Sequence, residues 1–491
     1  MGKYILYVHS DSEISRVDKT NNRFIVVGYL IDPKAPTKTT LDILTSISNL
    51  PSGDTYSLPS VDKISEYLYS LTGRFVLMIK NKDDLLFFND PCGLKTLYYT
   101  KYNNEIYAAS QPLLIELVVP IRKSINHQQY YNSAYSKNIL EHYIPTGTTL
   151  YDNVFHLAPN HYFESATFKQ VRYWPVRTLK RRELNEGIED FTTLLRQTMI
   201  AVNKRYRLSF PLTAGIDSRT ILSACKGFTK DLYFFTLQYR NLTEKSYDIK
   251  IPPKLSSRLG FDHVVIDCRK PMNKDFEKFY INNTDIHHLN DWGSICYGMY
   301  DSYPSGLLAV KGNCSEIGRR VYYKHGKHPD ISNCEDVFKL LKEEAGWEDI
   351  PFIRDRLCEW FYEVDDEKVR FNYLLLDLFY WEHRMGGWLA QSYLEKDIVH
   401  DSFTPFNNRE LLDIVLSVDL KYRCKPGYIF FRKSIRAMWK EVLKEPLDPR
   451  KYPNIIGRQR KEIGRLLGRT SFYSFLRNLY RGNKKIYTSI E

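Results

Sequence analysis

Short, β-like runs rich in apolar residues dominate the first ~160 positions, at 4–8, 24–30, 74–80, 85–89, 97–100 and 106–109. Clusters of Asn, Asp, Gly and Lys separate them, as turns separate strands. Short runs bounded by such turns fit strands joined by hairpins, so this part reads as an α+β or sandwich domain. Pro145, Gly147 and Pro159 punctuate its end, and Tyr173-Trp174-Pro175 opens a connector. From Gly187 the period lengthens. Ile188, Phe191, Leu194, Leu195, Met199 and Val202 recur every three or four residues, which predicts a helix. Strands at 208–213, 232–238, 262–267 and 307–312 then alternate with helical stretches, the pattern of a parallel α/β sheet. Pro252-Pro253 should break or restart one of those helices. Beyond residue 330 the chain reads as largely helical, most apolar over 371–391. The expected divisions are 1–175, 185–465 and a tail at 466–491.

Composition narrows the class. With 491 residues, 43% of them hydrophobic, the chain can bury cores for two or three domains. No run approaches the ~18 apolar residues of a membrane-spanning helix. The opening Met1–His9 stretch is too short and mixed for a leader, and reads as a first strand. Leu6 stands where a myristoylation signal needs Ser or Thr. Eight cysteines are scattered without Cys-x-x-Cys or zinc spacing. They read as reduced, buried hydrophobes in a cytoplasmic protein. The net charge is +12. Ten basic residues between Lys451 and Glu491 face only Glu462 and Glu491. Leu466, Leu467, Phe472, Phe475, Leu476 and Leu479 interrupt that tail at helical spacing, so it reads as an amphipathic helix with a solvated basic face. Nucleic acid is not an expected partner.

The candidate chemistry lies at 208–226. An apolar strand meets a small-residue turn, and Asp217-Ser218 open a helix. A helix N-terminus presents unpaired N–H groups and positive dipole to a polyanion. Ala214 and Gly215 let the backbone wrap phosphate oxygens. Asp217 would repel a bare phosphate, so it is expected to hold a bridging divalent cation. No Gly-Lys-Ser/Thr follows, which excludes a Walker loop. Thr213-Ala214-Gly215-Ile216-Asp217-Ser218 resembles instead the pyrophosphate loop Ser-Gly-Gly-x-Asp-Ser of ATP pyrophosphatases. Residues 312–316 also follow a predicted strand, and ligands of open α/β sheets sit beyond such strand ends.

Together with further motifs, the chain resembles the asparagine synthetase family, which includes β-lactam synthetases and lasso-peptide cyclases. Leu71-Thr72-Gly73-Arg74-Phe75 and Asn89-Asp90-Pro91-Cys92-Gly93-Leu94-Lys95-Thr96-Leu97-Tyr98-Tyr99 are similar to strands and turns of class II glutamine amidotransferase domains. Ala108-Ala109-Ser110 and Ile144–Leu150 continue that pattern. Phe403-Thr404-Pro405-Phe406-Asn407-Asn408 resembles the family's Val-Pro-Phe-Leu-Asp segment. The resemblance implies an Ntn-hydrolase-like sandwich followed by a pyrophosphate-loop synthetase domain with a helical C-terminal part. It implies ATP contacts at Leu212, Thr213, Ala214, Gly215, Asp217, Ser218, Arg219, Leu237 and Gly312. It also implies Mg²⁺ on Asp217 and Glu316.

Three departures matter. Gly2 stands where the amidotransferase domain carries its cysteine nucleophile, and Cys92 cannot supply an α-amine, so glutaminase activity is not expected. At the second loop Lys311, Asn313 and Cys314 are atypical, while Glu316 falls on the metal-binding position. Arg460 or Lys461 stands near the place of the lysine that steadies adenylation. Glu382 and His383 are candidate bases for the amine. The implied activity is adenylation of a carboxylate with release of pyrophosphate, then transfer to an amine not drawn from glutamine. Peptide cyclisation and sugar-acid amidation both fit, and a homodimer is compatible. The rival reading is a non-catalytic scaffold of the same fold.

Overall fold

The computed structural model describes residues 5–51, 59–81, 84–285, 288, 292–319, 321–323, 329–425 and 427–449. Fourteen strands build three sheets among these residues. In chain order they are β1 (Ile14–Asp18), β2 (Arg23–Ile31), β3 (Thr72–Lys80), β4 (Leu85–Asn89), β5 (Tyr98–Tyr102), β6 (Glu105–Ala109) and β7 (Phe155–His156). Then follow β8 (His161–Glu164), β9 (Lys169–Arg172), β10 (Leu208–Pro211), β11 (Tyr233–Gln238), β12 (His263–Asp267), β13 (Leu308–Val310) and β14 (Ser402–Phe403).

The first sheet is antiparallel, in the order β1-β2-β3-β4-β8-β9, and a smaller antiparallel sheet runs β6-β5-β7. Val76, Leu85, Phe87 and Phe163 of the first meet Leu97, Tyr99 and Leu157 from the second and its flanks in one buried cluster. Tyr99 and Phe163 lie with ring centroids 4.0 Å apart. The apolar runs read from the sequence thus supply a shared core. Residues 5–9 are the exception. They lie outside any strand, with Ile5 74% and Tyr7 87% exposed. An apolar run can suit a strand, but a strand also needs a partner for its backbone groups.

The third sheet is parallel throughout, in the order β12-β11-β10-β13-β14. Its order reverses at β10, so the crevice between the C-terminal ends of β10 and β13 is the topological switch point where ligands of such sheets bind. The helix Leu184–Arg205 buries Ile188, Phe191, Leu194, Leu195, Met199 and Val202, the stripe that the periodicity predicts. The helix Tyr247–Leu259 runs unbroken through Pro252 and Pro253, against expectation. Each proline removes one N–H from the ladder, yet Ile249, Ile251, Pro252 and Leu255 are buried along it, and that packing holds the helix.

Residues 334–396 are mainly helical, including Cys334–Ala345, Pro351–Val364 and a π-wound segment Tyr380–Leu389. The last packs directly on the N-terminal half: a Cβ on Gly386 would lie 2.5 Å from Pro159 Cγ, and one on Gly387 2.6 Å from the Ile144 carbonyl oxygen. A disulfide joins Cys334 to Cys358, so the reading of all eight cysteines as reduced is corrected. The two fall on adjacent helices, a proximity that spacing in the chain does not encode. The other six are free thiols. Among the described residues no helix is long and apolar enough to cross a membrane. Residues 1–446 form one compact unit, and 447–491 cluster separately; the expected tail helix lies outside the described residues.

Candidate active site

β10 ends at Pro211, and the helix Ile216–Ala224 begins five residues later with Gly215 as its N-cap. Glycine offers no side chain to cap that helix, so its first turn faces the switch-point crevice bare. Leu212 is wholly buried and donates its N–H to the Phe235 carbonyl at 2.8 Å. The turn itself is internally braced. The Thr213 and Ser218 hydroxyls lie 3.0 Å apart, the Thr213 N–H reaches Ser218 Oγ at 3.2 Å, and the Gly215 N–H reaches Thr213 Oγ1 at 3.1 Å. Asp248 Oδ1 accepts from the Ala214 N–H at 3.0 Å.

The loop after β13 comes against this turn. A Cβ on Gly312 would stand 2.9 Å from Asp217 Cβ and 3.2 Å from the Ser218 nitrogen, so only glycine permits the approach. Cys314 takes φ +69°, the left-handed conformation that glycine adopts most readily. Beyond it, Ser315–Arg319 form one tight 3₁₀ turn, in which side chains three apart share a face. Glu316 and Arg319 are such a pair. One Arg319 nitrogen lies 3.0 Å from Asp217 Oδ2 and 3.2 Å from Glu316 Oε1, and Ser315 Oγ donates to Asp217 Oδ1 at 2.6 Å. Burial pushes the Glu316 carboxyl up to about 7, against the pull of Arg319 and with a push from Asp217. Its Oε2 is buried without a hydrogen-bond partner.

The two carboxylates expected to share a metal therefore come together at the crevice, both within 3.2 Å of one Arg319 nitrogen. An acceptor left unpaired in a buried place fits an oxygen-ligated divalent ion. Sequence reading missed Arg319. The signal was there, a cation three residues after Glu316, but nothing in a single sequence shows that the turn is 3₁₀.

Other expected residues fall elsewhere. Arg219 is buried and donates to the carbonyls of Val442, Glu445 and Pro446 at 3.3, 2.8 and 2.6 Å; it tethers that segment, where a phosphate contact was expected. Glu382 is not a base. Its carboxylate accepts from Arg172 at 2.6 and 2.9 Å, from Asn160 at 3.0 Å and from Trp360 at 2.7 Å. Burial opposes its charge, but Arg172 outweighs that and holds it below the usual range. His383 is buried beside Thr146 Oγ1, 3.2 Å from its Nδ1, and burial drives its pKa well down. Both residues fasten the helical segment to the N-terminal half. Leu237 is half-buried near the end of β11, against the Phe235, Ile266 and Trp292 cluster. Cys92 is wholly buried beside the Cys314 thiol, its N–H donated to Asn407 Oδ1 at 2.8 Å, which suits a packing role. Lys311 is also buried. Burial lowers it to about 7, and its Nζ lies 3.3 Å from His400 Nε2. Gly2, Arg460 and Lys461 lie outside the described residues.

No family model matches the chain. A stretch of 223 residues, 42% of the chain, is 26% identical to asparagine synthetase (glutamine-hydrolyzing) 1 of Bacillus subtilis (strain 168). That match covers 32% of the relative, so the chain spans about a third of the length of the curated protein it is similar to.

Proposed function

We propose that the chain is an ATP-dependent carbon–nitrogen ligase of asparagine synthetase-like type, which adenylates a carboxylate and passes it to an amine. The observation that carries this reading is the meeting of the 213–218 turn with Glu316 at the switch point of a parallel sheet. A substrate carboxylate oxygen bonds to the α-phosphorus of ATP as the bond to the β-phosphate oxygen breaks and pyrophosphate leaves. The amine nitrogen then attacks the acyl carbon, loses a proton and expels AMP. The uncapped first turn of helix Ile216–Ala224 faces the polyphosphate. Asp217 and Glu316 are the residues that would hold Mg²⁺, whose charge offsets that of the leaving pyrophosphate. Gly312 keeps their two loops together.

The amine is drawn from ammonia, a second substrate or the same molecule. In support, Cys92 is sealed in the core and offers no thiol to attack glutamine.

The test is nucleotide chemistry. Purified protein should bind Mg·ATP and release AMP with pyrophosphate when offered a productive carboxylate and amine. Asp217→Ala should lower this by about a hundredfold or more, since a metal's charge stabilisation is worth several kcal/mol. Release of ADP and orthophosphate without AMP, or an unimpaired Asp217→Ala protein, would overturn the reading. Glutamate released from glutamine would overturn the part concerning the amine.

A further inference from the structure

Arg319 leaves two polar groups of the same ion-paired cluster unsatisfied. Its terminal nitrogen bridges Asp217 and Glu316, yet its Nε is buried with no hydrogen-bond partner, and so is Glu316 Oε2. A guanidinium prefers to meet an oxyanion as a planar fork with two parallel bonds. Here one nitrogen is shared between two carboxylates, Nε has no hydrogen-bond partner, and the guanidinium carbon lies 6.0 Å from the Tyr428 ring centroid. The side chain is only 10% exposed, so water satisfies little of it. A buried donor without an acceptor and a buried acceptor without a donor are each costly.

These two deficits are complementary. The carboxylate needs a cation, and the guanidinium needs an anion with several oxygens. A metal–polyphosphate supplies both. Resting on the two-carboxylate nucleotide site proposed above, we infer that Arg319 is an exchangeable counter-ion. In the nucleotide-free protein it neutralises Asp217 and Glu316 and holds their loops together. When Mg·ATP or Mg·pyrophosphate arrives, Arg319 gives up the carboxylates and turns its fork onto phosphate oxygens. Its seat in a one-turn 3₁₀ segment keeps it three residues from Glu316, close enough to serve both partners without moving the sheet. Arg319 therefore competes with bare metal ions and cooperates with metal-bound polyphosphate, so the site discriminates against a cation that comes without its nucleotide.

The experiment uses the full chain and two probes, Mn²⁺ alone and Mg·pyrophosphate, with binding read by calorimetry and melting temperature. Arg319→Gln should bind Mn²⁺ about tenfold more tightly and Mg·pyrophosphate about tenfold more weakly than the unaltered protein. Its metal-free melting temperature should fall and be largely restored by Mn²⁺. Arg319→Lys keeps the charge but not the fork; it should leave Mn²⁺ affinity nearly unchanged and still weaken Mg·pyrophosphate. It also serves if the glutamine variant fails to fold. If Asp217-dependent binding of both probes is present and neither variant changes it, the role of Arg319 is overturned while the nucleotide site stands. If the unaltered protein and Arg319→Gln bind neither probe, the nucleotide site falls and takes the inference with it.

Discussion

Asn407 and Asp90, 317 positions apart, are hydrogen-bonded in the buried seam between the two halves, with Asn407 Nδ2 donating to Asp90 Oδ1 at 2.8 Å. The same amide donates to the Gly73 carbonyl at 2.7 Å and accepts from the Cys92 N–H at 2.8 Å. Asp90 in turn accepts from the N–H groups of Leu94 and Lys95. The Pro-Phe segment after β14 is thereby locked to the turn after β4. Asn407→Ala should cost about 3 kcal/mol or more, because it removes three buried hydrogen bonds at once, one of them to a carboxylate. Chemical denaturation checks this, and a loss below about 1 kcal/mol, the worth of one ordinary hydrogen bond, would show the seam to be held elsewhere.

Glu382 gives the clearest separation of structure from catalysis. Glu382→Gln removes one of the two carboxylates paired with the buried Arg172 guanidinium, leaving Glu363 at 2.9 Å from its Nε, a change worth about 2 kcal/mol in stability. At a temperature where the variant is folded, its turnover per folded molecule should match the unaltered protein. A large fall in turnover with unchanged stability would restore the base assignment that the buried geometry removes.

Gly312→Ala tests the contact between loops. The new Cβ meets Asp217 Cβ at 2.9 Å, and forcing a methyl into such a contact costs about 2 kcal/mol. Nucleotide binding should weaken more than stability falls, since the displaced atoms belong to Asp217 and Ser218. Equal binding of Mg·ATP by both proteins would mean that the two loops need not touch.

Asp413 makes stability depend on pH. Burial raises its carboxyl from 3.8 to about 6, although Tyr373 and Tyr69 donate to it. The folded state therefore holds a proton that the unfolded chain has lost between those values. Stability should fall as pH rises from about 4 to about 6, by at most about 3 kcal/mol, and then level off. Asp413→Asn should remove that slope, and a melting temperature followed across this range will show it. An identical slope in the variant would assign it to other groups.

The sequence by itself determined the parts that short-range order controls. Short apolar runs between turn residues marked β2 to β6, period three to four marked the buried stripe from Ile188 to Val202, and small residues before Asp217 marked the turn at the end of β10. Each rests on neighbours within a few positions, where backbone geometry fixes which side chains share a face. Only the tertiary structure decided the partners. Glu382 became a tie to Arg172 and Arg219 a tether for residues 442–446, because the chain brings distant backbone and charge to them. Tyr247–Leu259 stays helical through two prolines because packing outweighs local preference. Cys334 meets Cys358, and Arg319 meets Asp217 across a crevice that exists only once β10 and β13 lie side by side. A charged side chain takes its role from what surrounds it after burial, and that surrounding is assembled from residues hundreds of positions apart.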